Sequence, residues 1–270
     1  MNPKIDVPYN PIITHDVDRY YKWKTFKSIF GEYRRIFNQQ STWSYKEAWS
    51  SFQNRKQVDP FSNLIEIAEL DKSMGLQSVF YIMTTQEKHP KNINDYSVDE
   101  QGVRETLKQI ISTGSEIGLH PGIYTFDDQN RMQQQKVRLE ESIQQAVVRS
   151  RQHYLKYEYS ETFRILESVG IKNDSSILVD ISNEENIERR STYSMQDENG
   201  KKMNLSQTPL VFMDTHHMIK KNHEILDLLE KSIAPAKKEG GEIMILWHNN
   251  NISNSREIGL YKEALEVIKN

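Results

Sequence analysis

What most constrains this chain is an alternation of short apolar runs, four of the seven ending in an aspartate or histidine, with segments of helical period. Such runs fall at 11–18, 78–85, 115–120, 146–155, 175–181, 208–214 and 242–248. Several are nearly apolar throughout and rich in Val, Ile and Phe, as strands covered on both faces are. The intervening segments read as helices. Ser97 and Glu100 form a capping box before the stripe Val103, Leu107, Ile110 and Ile111, and Gly114 stops that helix. Ser62 precedes Leu64, Ile67, Ala68 and Met74, and Asn254 with Glu257 opens the last helix. Strands alternating with helices imply parallel pairing through right-handed crossovers. About seven strands predict an irregular α/β barrel of (β/α)7 type with mostly parallel strands, with an open doubly wound sheet as the alternative. No glycine-rich loop follows a strand, so nothing favours nucleotide binding.

Two stretches break the rhythm. Residues 19–60 are unusually aromatic and predict a helical insertion, either packing a small core of its own or offering rings on which sugars stack. Residues 182–207 are polar and predict a long loop. The whole, residues 1–270, is expected to form a single domain carrying that insertion. The absence of cysteine rules out disulfides, thiolate metal sites and a cysteine nucleophile. With 35 Lys and Arg against 38 Asp and Glu, no bulk basic field favours nucleic acid as a partner. No apolar stretch is long enough for a membrane span, and residues 1–11 lack a secretory apolar core, so a cytoplasmic protein is expected.

The polar residues of interest gather where the apolar runs end. Asp16 and Asp18 end the first run and His120 the third; Arg151 and His153 lie near the end of the fourth; Asp214 ends the sixth and His248 the seventh. In a parallel barrel these ends meet at one mouth, and carboxylates with imidazoles there suit a divalent metal. Each signal has a plainer alternative. Asp16 and Asp18 could cap a helix or hold a turn, with His15 on the opposite face of the strand; His120 could serve a turn, His153 a structural ion pair and His248 a polar strand end. His216 and His217, being adjacent, cannot both point inward and read as loop residues. Asp174 and Asp180 read as turn formers, and His89 and His223 as surface residues.

As a set, these motifs resemble the NodB-like polysaccharide deacetylases. Thr14-His15-Asp16-Val17-Asp18 is similar to that family's Thr-Phe-Asp-Asp-Gly, with the second carboxylate one residue later. Glu116-Ile117-Gly118-Leu119-His120 resembles the approach to its first motif histidine, while the second histidine's place falls at Tyr124. Arg151-Gln152-His153-Tyr154 resembles Arg-x-Pro-Tyr with histidine for proline, and Ile245-Leu246-Trp247-His248 resembles its late strand ending in histidine. The variant looks like a bacterial branch associated with surface polysaccharide.

The resemblance implies hydrolysis of an N-acetyl group on an amino sugar, in surface polysaccharide biosynthesis of O-antigen or capsule type. The substrate would be an acetamido sugar or polysaccharide precursor. The cofactor would be a divalent metal, zinc by expectation, that lowers the pKa of water and stabilises the developing oxyanion. Asp16 would be the general base with Arg151 orienting it, and His248 would protonate the leaving amine. Asp18 and His120 would bind the metal. His153 would be the third ligand, because a phenol at position 124 is a poor ligand at neutral pH. His15 would support the strand from behind. A sugar-binding protein that lost the chemistry, or a metal hydrolase acting on another amide or acyl bond, are the rival readings.

Overall fold

The computed structural model describes residues 7–92, 94–215 and 217–270. In chain order these residues form β1 (Tyr9–Val17), α1 (Phe26–Phe37), α2 (Tyr45–Asn54), α3 (Leu64–Ser73), β2 (Gln77–Met83), α4 (Gln101–Thr113), β3 (Glu116–His120), α5 (Gln129–Ile143), β4 (Arg149–Ser150) and α6 (Tyr159–Ser168). Then follow β5 (Asn173–Asp174), β6 (Tyr193–Gln196), β7 (Lys202–Gln207), β8 (Leu210–Met213), α7 (Asn222–Glu239), β9 (Gly241–Leu246) and α8 (Ser255–Lys269).

The strands lie in one curled sheet ordered β6-β7-β5-β4-β3-β2-β1-β9-β8, parallel throughout except for the β6–β7 hairpin. β1 sits between β2 and β9, and six of its nine residues are buried. That is why its sequence runs apolar to both faces instead of alternating. The chain beyond β5 then reaches β8. Val179 N–H donates to the Leu210 carbonyl at 2.8 Å, and Leu210 N–H donates to the Ile177 carbonyl at 3.1 Å. This single parallel bridge between Leu178 and Leu210 brings the two sides of the curl together. α3, α4, α7 and α8 cover the outside with Leu64, Leu107, Leu229 and Leu265 turned into the main core.

The structure corrects several expectations. The strand expected over 146–155 is a ladder only at Arg149–Ser150. Beyond it the backbone groups find other partners: Gln152 N–H donates to Ser176 Oγ at 2.8 Å, and the Arg151 carbonyl accepts from His120. The chain then turns tightly through His153–Leu155, with Tyr154 and Leu155 at φ of 57° and 51°, a left-handed conformation rare for such side chains. The strand expected over 175–181 pairs earlier, at Asn173–Asp174, and survives beyond that only as the Leu178 bridge. The loop expected over 182–207 contains a 3₁₀ helix, Glu184–Arg189, and the β6–β7 hairpin. Residues 26–54 do form two helices, and their inner faces close a separate small core of Trp23, Ile29, Trp43, Ala48 and Phe52.

Candidate active site

Asp16 stands second to last on β1 and projects to the strand's C-terminal end, 3% exposed. Its Oδ1 accepts from Arg151 Nη1 at 3.0 Å. Arg151 is fully buried, so its charge must be answered locally. Nη1 also donates to Thr14 Oγ1 at 2.7 Å; Nε and Nη2 donate to Ser175 Oγ at 3.0 and 2.7 Å. The guanidinium lies over the ring of Tyr81, 4.6 Å from its centroid. That ring explains Gly118 in β3: a Cβ there would stand 2.5 Å from two Tyr81 ring carbons. The glycine thus clears the floor on which the Arg151–Asp16 pair rests.

A second group lies beside this pair. His120 Nε2 is 3.3 Å from Asp18 Oδ1, His153 Nδ1 is 3.4 Å from the same oxygen, and the two nitrogens are 3.1 Å apart. Each imidazole uses its other nitrogen on a main-chain carbonyl: His120 Nδ1 donates to Arg151 O and His153 Nε2 to Lys91 O, both at 2.7 Å. In the neutral tautomers this leaves two nitrogen lone pairs and a carboxylate oxygen converging with no proton among them. Asp18 Oδ1 is buried and makes no well-aligned hydrogen bond. Three electron-pair donors facing one another, braced from behind, are what a cation site requires, and these three could hold a divalent ion. Burial opposes ionisation of Asp18, yet the adjacent His120 and His153 hold its carboxyl below the ordinary carboxylate range. Burial likewise disfavours charge on His120, and the neighbouring Asp16 and Asp18 outweigh it and raise its pKa.

The third group is a dyad. β8 and β9 pair so that Met213 lies opposite Leu246, which brings the residues after them together. His248 Nδ1 donates to Asp214 Oδ1 at 2.6 Å, and the His248 main-chain N–H donates to Asp214 Oδ2 at 3.0 Å. Asp214 is fully buried and takes a further hydrogen bond from Asn251 Nδ2 at 2.8 Å. With Nδ1 engaged, Nε2 of His248 is the nitrogen left for the cavity. Burial works against protonation of His248, but the Asp214 carboxylate overrides it and pushes the pKa up to about 9.

Asp16, Asp18, His120, His153 and His248 all line one cavity of about 650 Å³, together with Tyr154, Leu155, Met213 and, from α1, Arg35. Asp214 was visible in the sequence as a strand-end carboxylate, but its pairing with His248 is set by the register of two strands distant in sequence. Tyr124 points elsewhere: it is 37% exposed and its hydroxyl is 2.8 Å from His89 Nε2. His89 is thus not a bare surface residue but a partner of Tyr124. His15 lies behind β1, its Nδ1 2.7 Å from the Trp247 carbonyl and its Nε2 3.1 Å from Asp71 Oδ2, and Tyr261 closes the network on Asp71. Asp174 and Asp180 both hold turns, accepting from the main-chain N–H of Ser176 at 2.8 Å and of Ser182 at 3.0 Å; Asp174 is also fully buried and accepts from Ser150 Oγ at 2.6 Å. His217 packs its ring on Phe212, and His216 lies outside the described residues.

The dyad makes a pH prediction. A raised histidine pKa means the charged pair contributes stability fully below the unfolded value of about 6.5, and that contribution is lost as pH rises through about 9. If His248 must be protonated for turnover, the alkaline limb of the pH–rate profile lies near pH 9. In Asp214→Asn the limb should move down toward about 6.5, as followed by steady-state rates across pH. An unmoved limb would show that another group sets it.

Searches for a matching family model and for a similar curated protein found none. Solved structures do match. A structure from Mycobacterium smegmatis assigned as a polysaccharide deacetylase aligns over 98% of this chain and 85% of its own, with TM-score 0.61 and 13% identity. Another so assigned, from Pseudomonas aeruginosa PAO1, aligns over 94% of this chain and 84% of its own, with TM-score 0.54 and 13% identity. PuuE allantoinase aligns over 100% of this chain and 86% of its own, with TM-score 0.57 and 12% identity. At these identities the likeness establishes architecture: the chain has the curled, mostly parallel α/β fold of the polysaccharide deacetylases.

Proposed function

We propose that this protein is a divalent-metal-dependent hydrolase that removes the N-acetyl group of an amino sugar, with zinc as the metal, in the biosynthesis of a surface polysaccharide of O-antigen or capsule type. The observation that carries the reading is the grouping in one cavity of three distinct devices: the Asp18–His120–His153 donor set, an arginine-braced Asp16, and an aspartate-braced His248. A sugar-binding protein needs none of these in combination, whereas metal-assisted amide hydrolysis can use all three, as ion holder, base and acid.

When bound, the ion supplies Lewis acidity at the amide carbonyl and acidifies water. The remaining work falls to the chain. Asp16, fixed through Oδ1 by Arg151, turns Oδ2 toward the donor set, 3.8 Å from His120 Nε2, where it can take a proton from the attacking water. His248, held by Asp214, offers Nε2–H to the departing amine. Tyr154 and Leu155, both lining the cavity, present apolar surface to a sugar ring.

A fold shared with a protein named as an allantoinase keeps a second reading open, hydrolysis of a different amide. The test is acetate release from acetamido sugars offered free, nucleotide-linked and as polymer. Release that stops on chelation and returns with zinc supports the proposal. Sugar binding without turnover would favour the binder, and hydrolysis of another amide alone would favour the second reading.

A further inference from the structure

We infer that the outer face of α1 and α2 docks on an anionic phospholipid surface. The inference does not depend on the deacetylase reading.

The first observation is apolar exposure in an ordered stripe. α1 turns Ile29 into its small core, as an amphipathic helix should, yet Phe26, Phe30 and Phe37 are 63%, 69% and 78% exposed. At 100° per residue these three rings fall within about 40° of one another around the helix. α2 continues the face with Tyr45 and Trp49, 47% and 44% exposed. Ring contacts join the two helices: Phe26 meets Phe52 at 5.0 Å, Trp49 stacks on Phe52 at 5.9 Å, and Tyr33 meets Tyr45 at 5.1 Å. Isolated exposed aromatics need no account, but a joined face of them does.

The second observation is charge. Residues 19–56 hold nine Lys and Arg against two carboxylates, a local +7 in a chain whose total is −3. The whole-chain balance conceals it. Three of the nine cations are answered, Lys22 and Arg35 by Glu32 at 3.1 and 3.6 Å and Arg19 by Asp95 at 3.3 Å, while Lys27, Arg34, Lys46 and Lys56 stand exposed without a carboxylate of the described residues within ion-pair distance. Lys27 and Arg34 are exposed and follow the Phe stripe by roughly a sixth of a turn on the α1 wheel. Phenylalanine, tryptophan and tyrosine flanked by cations is the composition of a helix that lies in a bilayer interface, its rings among the acyl ends and its cations among the phosphates.

The charge selects the occupant. A second copy of the same face would bring like charge against like. A duplex would answer the cations but not three outward phenylalanines, and a single strand, whose bases could stack on the rings, is bound along a basic groove rather than on the outer side of two helices. An anionic bilayer answers both. Among the described residues no helix is long and apolar enough to cross a membrane; the attachment inferred is through this face. Because α1 also borders the cavity of Asp16, His120 and His248 through Arg35, docking holds that cavity beside the headgroups.

The test is flotation of the full chain with vesicles of phosphatidylcholine alone and of phosphatidylcholine with phosphatidylglycerol. Binding is expected only to the second and should weaken as salt rises. Phe30→Ser with Phe37→Ser, and separately Lys27→Glu with Arg34→Glu, should each lower partitioning by about tenfold or more. All four positions are exposed, and unchanged thermal unfolding checks that the fold is kept. Failure to bind anionic vesicles, or binding indifferent to both variants, would overturn the inference. So would association of the protein with itself, or with a single-stranded oligonucleotide, that only the Phe variant or only the charge variant abolishes while vesicles remain unbound.

Discussion

Asp16→Asn is expected to abolish turnover while the purified protein keeps its metal. The substitution preserves shape and leaves an oxygen for Arg151 Nη1, now 3.0 Å from Asp16 Oδ1. What it removes is the capacity to accept a proton, which for one acid/base group is worth roughly 10²–10⁴-fold in rate. On the proposed reading the donors for the ion are Asp18, His120 and His153, so metal content should stay at the wild-type ratio. Because Arg151 would lose its counter-charge in a fully buried position, some loss of stability will accompany the loss of rate; thermal unfolding measured beside kcat separates the two. Should the metal leave with the carboxylate, Asp16 is a ligand and the roles of Asp16 and Asp18 must be exchanged.

The second large effect belongs to His153. With its imidazole removed, Asp18 and His120 alone face the ion, whereas catalytic zinc ordinarily has three protein ligands. His153→Ala should therefore purify with substoichiometric metal. Its affinity should fall by more than the roughly 10–100-fold typical of losing a mere outer-shell partner. Tyr124→Phe is the control. The Tyr124 hydroxyl bonds His89 at 2.8 Å, outside the donor set, so its removal should leave metal content unchanged. Elemental analysis of both proteins decides the matter. Full metal in the His153 variant together with loss in the Tyr124 variant would reverse the assignment.

How much of this was legible beforehand differs from element to element. The long central strands were readable because burial on both faces forces an apolar run, and their terminal Asp16, His120 and His248 could be placed at one mouth from topology alone. β4 was not readable at its true length. Its apolar neighbourhood resembles a strand, but the backbone beyond Ser150 is diverted to Ser176 and His120, partners that no local pattern discloses. His153 shows the difference well. Its choice as third ligand rests in the sequence on the poor phenol at position 124; what sets its place is not legible there, since a left-handed turn at Tyr154 and Leu155 follows it and the Lys91 carbonyl fixes its ring. The β6–β7 hairpin was missed although a signal existed: Asn199-Gly200 lies between segments of strand composition, with Gly200 at φ 75° and Asp197 Oδ1 holding the turn. The local basic excess of residues 19–56 was likewise present in the sequence and averaged away by the total.

Arg151 touches two devices through different parts of itself. Its guanidinium grips Asp16, while its carbonyl takes the Nδ1 proton of His120 and so fixes the tautomer that turns a lone pair toward the donor set. Only the first of these is written in the genetic code for that position; every amino acid brings a carbonyl. If the proposed roles hold, mutation at 151 would strip Asp16 of its partner while the main-chain brace on His120 stays available, at the cost of leaving the buried Asp16 carboxylate unpaired.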